Sequence, residues 1–230
     1  MMLPNAVRAA IFDMDGTLLD SERFYLRAIR EACLAVGLEA PEAFFFQMLG
    51  RPWPDCYRML GARFGAGFER SRFDPLFDQG FAQLTRGGIP LKPGVRELLE
   101  HLASLETPMA VATSTGGALA KRHLEHAGIL DFFAARVSAD MVAEPKPAPE
   151  TFRKASEALG VASHYCLALE DSPAGVRSAA ASGAMTIMVP DMVPATVAEQ
   201  SVCVAVVKTM FDVLDCLRAG ENATPSLVER

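Results

Sequence analysis

Short apolar runs alternate with helix-length amphipathic stretches along this chain, and few folds accept that alternation. The runs are VRAAIF (7–12), PMAVATS (108–114), RVSA (136–139), HYCLALED (164–171) and MTIMVP (185–190). Between the later ones lie GGALAKRHLEHAG, APETFRKASEALG and SPAGVRSAAASGA, with VRELLEHLASL ahead of the second run and MFDVLDCLRAG near the end. Strands that alternate with helices of about 10–15 residues are βαβ units, and their strands pair in parallel. The fold class is therefore α/β: a Rossmann-like parallel sheet with helices on both faces.

The alternation is interrupted once. From Ser21 the apolar positions Phe24, Ala28, Ile29, Ala32, Cys33 and Val36 recur at three-and-four spacing, and Gly37 closes the helix. PEAFFFQMLG, PDCYRMLGARFG and DPLFDQGFAQLTR continue as helical pieces, with no strand signal before the breaker cluster Gly87, Gly88, Pro90, Pro93 and Gly94. An all-helical insert over residues 20–88 thus splits an α/β core made of residues 1–19 and 89–230. A chain of 230 residues has room for one core and a smaller second lobe. The last ten residues, ENATPSLVER, read as a frayed tail.

Net charge is −6 with no basic block, which argues against a nucleic-acid binder. No apolar run is long enough to span a bilayer, and the N-terminal stretch lacks the apolar core of a signal peptide. The five cysteines, Cys33, Cys56, Cys166, Cys203 and Cys216, form no CxxC pair and mostly sit among apolar neighbours. That usage predicts buried, reduced thiols and a cytoplasmic protein.

In an open parallel sheet, ligands bind beyond the carboxyl ends of the strands. Three of the five apolar runs here end in chemistry. The first delivers Asp13 and Asp15, the second Thr113, Ser114 and Thr115, and the fourth Glu170 and Asp171. Lys146, fenced by Pro145 and Pro147, lies between them in sequence. Clustered carboxylates cannot all ionise without a counter-ion, and an oxygen-only donor set suits Mg²⁺. A lysine and hydroxyls beside that cation make a phosphate site. One aspartate can attack phosphorus to form an aspartyl phosphate, while its neighbour protonates the departing alcohol and later takes a proton from water.

DMDGT (13–17), the run into Thr113-Ser114, Lys146-Pro147-Ala148-Pro149 and EDSPAG (170–175) together resemble the four motifs of the haloacid dehalogenase-like hydrolases, in order and across nearly the whole chain. The resemblance is to the subgroup of small phosphatases and β-phosphoglucomutase, whose helical cap follows the first motif; residues 20–88 match that cap. It implies that Asp13 is the nucleophile and Asp15 the general acid and base, with the Asp15 backbone carbonyl on Mg²⁺. It implies that Thr113 hydrogen-bonds the transferring phosphoryl group with Ser114 nearby, and that Lys146 neutralises charge on nucleophile and phosphate. Asp171 and Asp13 would hold Mg²⁺, with Glu170 a ligand directly or through water. Gly50-Arg51 resembles the substrate-facing loop of the cap, making Arg51 a contact for a second substrate charge.

The resemblance also sorts reactions. Dehalogenases and phosphonate-cleaving relatives lack an acid two residues after the nucleophile, so Asp15 points to phosphate chemistry. The mutase has a gating histidine where this sequence has Tyr25, which favours a phosphatase over a hexose-phosphate mutase. A non-catalytic phospho-acceptor signalling domain would have no use for Asp15 or for a helical insert. The expectation is a Mg²⁺-dependent hydrolase of a small-molecule phosphate monoester, a monomer or weak dimer. Elsewhere, His123 and His126 read as complements to a helix C-terminal dipole. Phe44, Phe45, Phe46 and Trp53 read as packing within the insert, and Met14 as a core residue between the aspartates.

Overall fold

The computed structural model describes residues 3–223. The chain opens with strand β1 (Ala9–Phe12) and continues through helices α1 (Glu22–Ala35), α2 (Glu42–Phe46), α3 (Trp53–Phe64), α4 (Arg70–Leu84) and α5 (Val95–Ser104). There follow β2 (Met109–Ala112), α6 (Gly117–His126), β3 (Ala135–Val137), α7 (Glu150–Ala158), β4 (Cys166–Glu170) and α8 (Pro173–Ala181). Strand β5 (Met185–Met188), α9 (Val197–Val202), β6 (Ala205–Val206) and α10 (Met210–Ala223) complete it. Helix α10 takes in the first three residues of the expected tail; the other seven, 224–230, lie outside the described residues.

The six strands form one sheet in the order β3-β2-β1-β4-β5-β6, and all neighbours pair in parallel. Both faces are covered, so β1 and β2 are wholly apolar, β4 and β5 are apolar apart from Glu170 and Thr186, and all four are buried. The two faces differ in size. Phe12, Val111, Leu167, Leu169 and Ile187 point into the larger cluster, with Leu98, Leu99 and Leu102 of α5, Leu124 of α6 and Val213, Leu214 and Leu217 of α10. Ala9, Ile11, Ala110, Ala112 and Ala168 point the other way, onto Phe152 and Ala155 of α7 and Ala179 of α8. Alanines on that face let the helices approach closely, while each large side chain buried on the first stabilises by about 1.5–3 kcal/mol.

Between β1 and α5 the described backbone is helical wherever it is regular. Helix α1 buries Ala28, Ile29, Ala32 and Cys33, four of its expected apolar positions, and packs along α4. Phe73, Phe77 and Phe81 of α4 fall one turn apart and stack, with centroids 6.0 and 5.9 Å apart. Tyr25 of α1 extends the ladder onto Phe81 at 4.3 Å. Such pairs each add about 0.5–1.5 kcal/mol beyond area burial. The segments leading into and out of these helices run side by side. The Asp20 N–H donates to the Pro90 carbonyl at 2.8 Å, and the Lys92 N–H to the Leu18 carbonyl at 2.9 Å.

The apolar stretch SVCVAVV divides: its first residues end α9 and only Ala205 and Val206 pair as a strand. All five cysteines are free, with Cys33, Cys56 and Cys166 buried. No helix among the described residues is long and apolar enough to cross a membrane.

Candidate active site

The order of the sheet reverses at its centre. From β1 the chain winds outward to β2 and β3, then crosses back to place β4 on the other side of β1. Such a switch opens a crevice at the carboxyl edge, and β2, β1 and β4 all end there. Asp13 is the first residue beyond β1, its N–H held by the Leu169 carbonyl of β4 at 2.9 Å. Thr113 follows β2, and Glu170 and Asp171 terminate β4.

Lys146 joins these ends. Its ammonium donates to Asp13 Oδ1 at 2.6 Å, to Glu170 Oε1 at 2.7 Å and to the Ala112 carbonyl at 2.8 Å. All three donors of the ammonium are satisfied, and its nitrogen lies 4.8 Å from the centre of the Phe152 ring. Burial opposes the lysine's charge, but Asp13 and Glu170 outweigh it and hold the ammonium above its ordinary range. The second Glu170 oxygen accepts from the Asp171 and Ser172 N–H groups and the Ser172 hydroxyl, each at 3.0 Å. That hydroxyl in turn caps α8 by accepting the Gly175 N–H at 3.1 Å.

Two glycines make room for the carboxylates. A Cβ on Gly175 would overlap the Glu170 carboxylate, and one on Gly16 would overlap that of Asp171, at a backbone φ of +82° that already favours glycine. Gly175→Ala is therefore expected to displace Glu170 from Lys146. Overpacking of this kind costs about 1–3 kcal/mol, readable by chemical denaturation, and should blunt any stabilisation by Mg²⁺.

Asp13, Glu170 and Asp171 each offer an oxygen within 4.8 Å of the others, all three side chains buried. Burial pushes Asp13 up to about 8, with Glu170 and Asp15 adding to the rise against the pull of Lys146. Burial, then Glu170 and Asp13, raise Asp171 well above the usual carboxylate range. Three carboxylates against one ammonium leave two negative charges when all are ionised. A hard dication with oxygen ligands balances that set, so the residues fit Mg²⁺. The Asp15 side chain stands apart from this trio: its Oδ2 accepts from the Thr115 hydroxyl at 2.6 Å.

The pocket above the carboxylates is lined by Asp13, Asp15, Lys146, Glu170 and Asp171 from the core. Ser114 and Thr115 lie beside them, and Glu22, Tyr25, Met48, Arg51 and Trp53 line it from the helical segment. Thr113, at the end of β2, is buried and is not one of the lining residues; its hydroxyl accepts the Thr115 N–H at 3.0 Å. Arg51 is exposed at the mouth, its Nε donating to the Gln47 carbonyl at 2.6 Å. Trp53 both lines the pocket and packs edge-on against Phe77 at 4.7 Å. Phe45 is buried in the insert and Phe46 is exposed.

Sequence reasoning passed over Glu22. An acid in the first turn of a helix reads as a dipole complement, yet here it lines the pocket and burial pushes it up to about 8, with Asp15, Asp191 and Asp13 reinforcing the rise. His123 corrects an expectation. It is 1% exposed, packs edge-on against Phe81 at 5.9 Å, and burial lowers its pKa. A side chain so enclosed is aromatic packing between α6 and α4, and only exposed His126 is free to act as a dipole complement.

An ammonium-braced aspartate beside two further carboxylates, at the switch point of a parallel sheet, defines the class of an α/β hydrolase. The chain belongs to the haloacid dehalogenase-like hydrolases, whose family model matches residues 10–189. The plasmid-borne protein CbbY of Cupriavidus necator is 34% identical over 207 residues, spanning 80% of this chain and 78% of that protein. Fructose-1-phosphate phosphatase YqaB of Escherichia coli is 30% identical over 182 residues, 75% of this chain and 91% of that protein. The crystal structure of CbbY from Rhodobacter sphaeroides in complex with phosphate superposes with a TM-score of 0.72 at 25% identity, covering 92% of this chain and 99% of that one.

Proposed function

We propose that the protein is a Mg²⁺-dependent phosphatase of a small phosphorylated metabolite, a sugar phosphate or similar polyol ester, acting through an aspartyl phosphate on Asp13. The observation that carries this reading is the Lys146 ammonium held between Asp13 and Glu170, buried at the floor of a pocket that Asp15 also lines. A nucleophile must present an oxygen lone pair to phosphorus. Lys146 engages Oδ1 of Asp13, which leaves Oδ2 for attack.

In the first half-reaction Asp13 forms the new oxygen–phosphorus bond, the ester oxygen leaves, and Asp15 gives that oxygen its proton. In the second, water attacks the phosphorus, its proton passes to Asp15, and the bond to Asp13 breaks to release inorganic phosphate. Thr113 and Ser114 donate to the phosphoryl oxygens, and Lys146 offsets their charge. Asp13, Asp171 and Glu170 would hold Mg²⁺ together with the Asp15 carbonyl; the cation supplies positive charge that keeps the acids ionised beside a phosphate dianion. Residues 20–88 act as the cap over the pocket, with Arg51 placed to meet a second substrate charge. The sugar-phosphate preference draws on the name of the Escherichia coli relative, and on a pocket wall where Glu22 stands among apolar side chains.

The test is an initial-rate screen over sugar, polyol and nucleotide monophosphates, with Mg²⁺ and with chelator. Metal-dependent release of inorganic phosphate from at least one polyol ester is the expected result. Isomer formation from β-glucose 1-phosphate without phosphate release would replace the phosphatase with a mutase. Absence of turnover on the whole panel would overturn the proposal.

A further inference from the structure

We propose that Thr115 is the positioning residue for Asp15: its hydroxyl fixes which Asp15 oxygen is left to exchange a proton with the substrate. The inference rests on the assignment of Asp15 as acid and base, and extends it to a residue to which no role has been given.

The geometry is a short chain of directed hydrogen bonds. The Thr115 N–H donates to Thr113 Oγ1 at 3.0 Å, which pins residue 115 against the end of β2. Its hydroxyl then donates to Asp15 Oδ2 at 2.6 Å, across a hundred residues of sequence. Tyr25 of α1 lines the same pocket, and its side chain interacts with that of Thr115. Tyr25 is itself held by stacking on Phe81. The remaining oxygen, Asp15 Oδ1, is buried and has no hydrogen-bond partner in the protein.

A carboxylic acid accepts hydrogen bonds best at its carbonyl oxygen and carries its proton on the other. With Oδ2 occupied as the acceptor, the proton of a neutral Asp15 belongs on Oδ1, the oxygen with no hydrogen-bond partner in the protein. When the ester bond breaks, that proton passes to the departing alkoxide and Asp15 becomes a carboxylate. When water attacks the aspartyl phosphate, the same oxygen takes the proton back. A buried, unpartnered oxygen is costly for a protein to maintain unless something else completes it, and a leaving-group oxygen does so.

The experiment compares two esters by kcat/KM, which reports only steps through the first irreversible one. An alkyl phosphate needs its leaving oxygen protonated; 4-nitrophenyl phosphate, with an acidic leaving group, does not. Thr115→Val keeps the shape and removes the donor, while Thr115→Ser keeps the donor. General acid catalysis contributes about 10²–10⁴-fold, so misorienting the acid should lower kcat/KM of Thr115→Val for the alkyl ester by about 30–100-fold. The loss for the aryl ester should be about threefold at most, and Thr115→Ser should recover most of the alkyl rate. Equal losses on both esters, or no loss on either, would overturn the assignment of Thr115 alone. Failure of the unsubstituted enzyme to turn over either ester would instead overturn the phosphatase reading and this inference with it.

Discussion

Asp13→Asn is expected to lose turnover of every phosphate ester by about 10⁴-fold or more, because a carboxamide oxygen is too weak a nucleophile to attack phosphorus. The fold should survive. The amide oxygen can still accept from Lys146, whose other contacts, Glu170 and the Ala112 carbonyl, remain. The change also removes a carboxylate that burial pushes up to about 8. In chelator above that pH the variant should melt no lower than the parent, and its circular dichroism should be unchanged. Phosphate release measured over hours sets the activity limit. A variant with a rate within tenfold of the parent would remove Asp13 from the mechanism.

The second large effect is on stability and couples pH to Mg²⁺. Asp13 and Glu22 each titrate near 8 in the folded protein, against 3.8 and 4.5 as the ordinary values, and Asp171 is raised as well. Folded groups that bind protons more tightly than unfolded ones stabilise at low pH, and lose that contribution as pH climbs through the folded pKa. In chelator, the melting temperature should therefore fall between about pH 4 and pH 8. Mg²⁺ competes with those protons, so its stabilisation should grow across the same window and be largest at pH 8. At a hundred times the dissociation constant a ligand adds about 2.7 kcal/mol, or about 5–10 °C for a chain of this size. Thermal melts at pH 5 and pH 8, with Mg²⁺ and with chelator, read all four corners. An equal melting temperature with and without Mg²⁺ at pH 8 would mean that Asp13, Glu170 and Asp171 do not hold the cation.

The central strands were legible because burial on both faces forces continuous apolar runs, and the polar residue that ends each run marks the sheet edge. Asp13, Glu170 and Asp171 could be read that way, and Lys146 through its proline-framed segment. Strand β6 could not, since two paired residues after a short helix leave no period to detect. Glu22 carried only the ordinary signal of a helix first turn, and its burial depends on how α1 meets Gly50 and Asp191. The Thr115–Asp15 bond spans segments a hundred residues apart, and nothing local in either announces it. His123 sits where a dipole complement would, but the face of α6 that receives Phe81 is set by tertiary packing, so its enclosure was invisible.

The adjacent crossings at Leu18–Asp20 and Pro90–Lys92 carry a consequence for engineering. A loop that leaves and rejoins its host at neighbouring backbone positions pays little for extra length, about 0.6 kcal/mol per doubling. The length of the four-helix stretch is therefore set apart from the strand pairing below, while the contact of Phe81 with His123 of α6 is packing that a replacement would have to supply again. On the proposed division of roles, chimeras cut at those crossings are expected to keep the host's reaction and take their substrate preference from the graft, which a substrate screen on the chimeras checks.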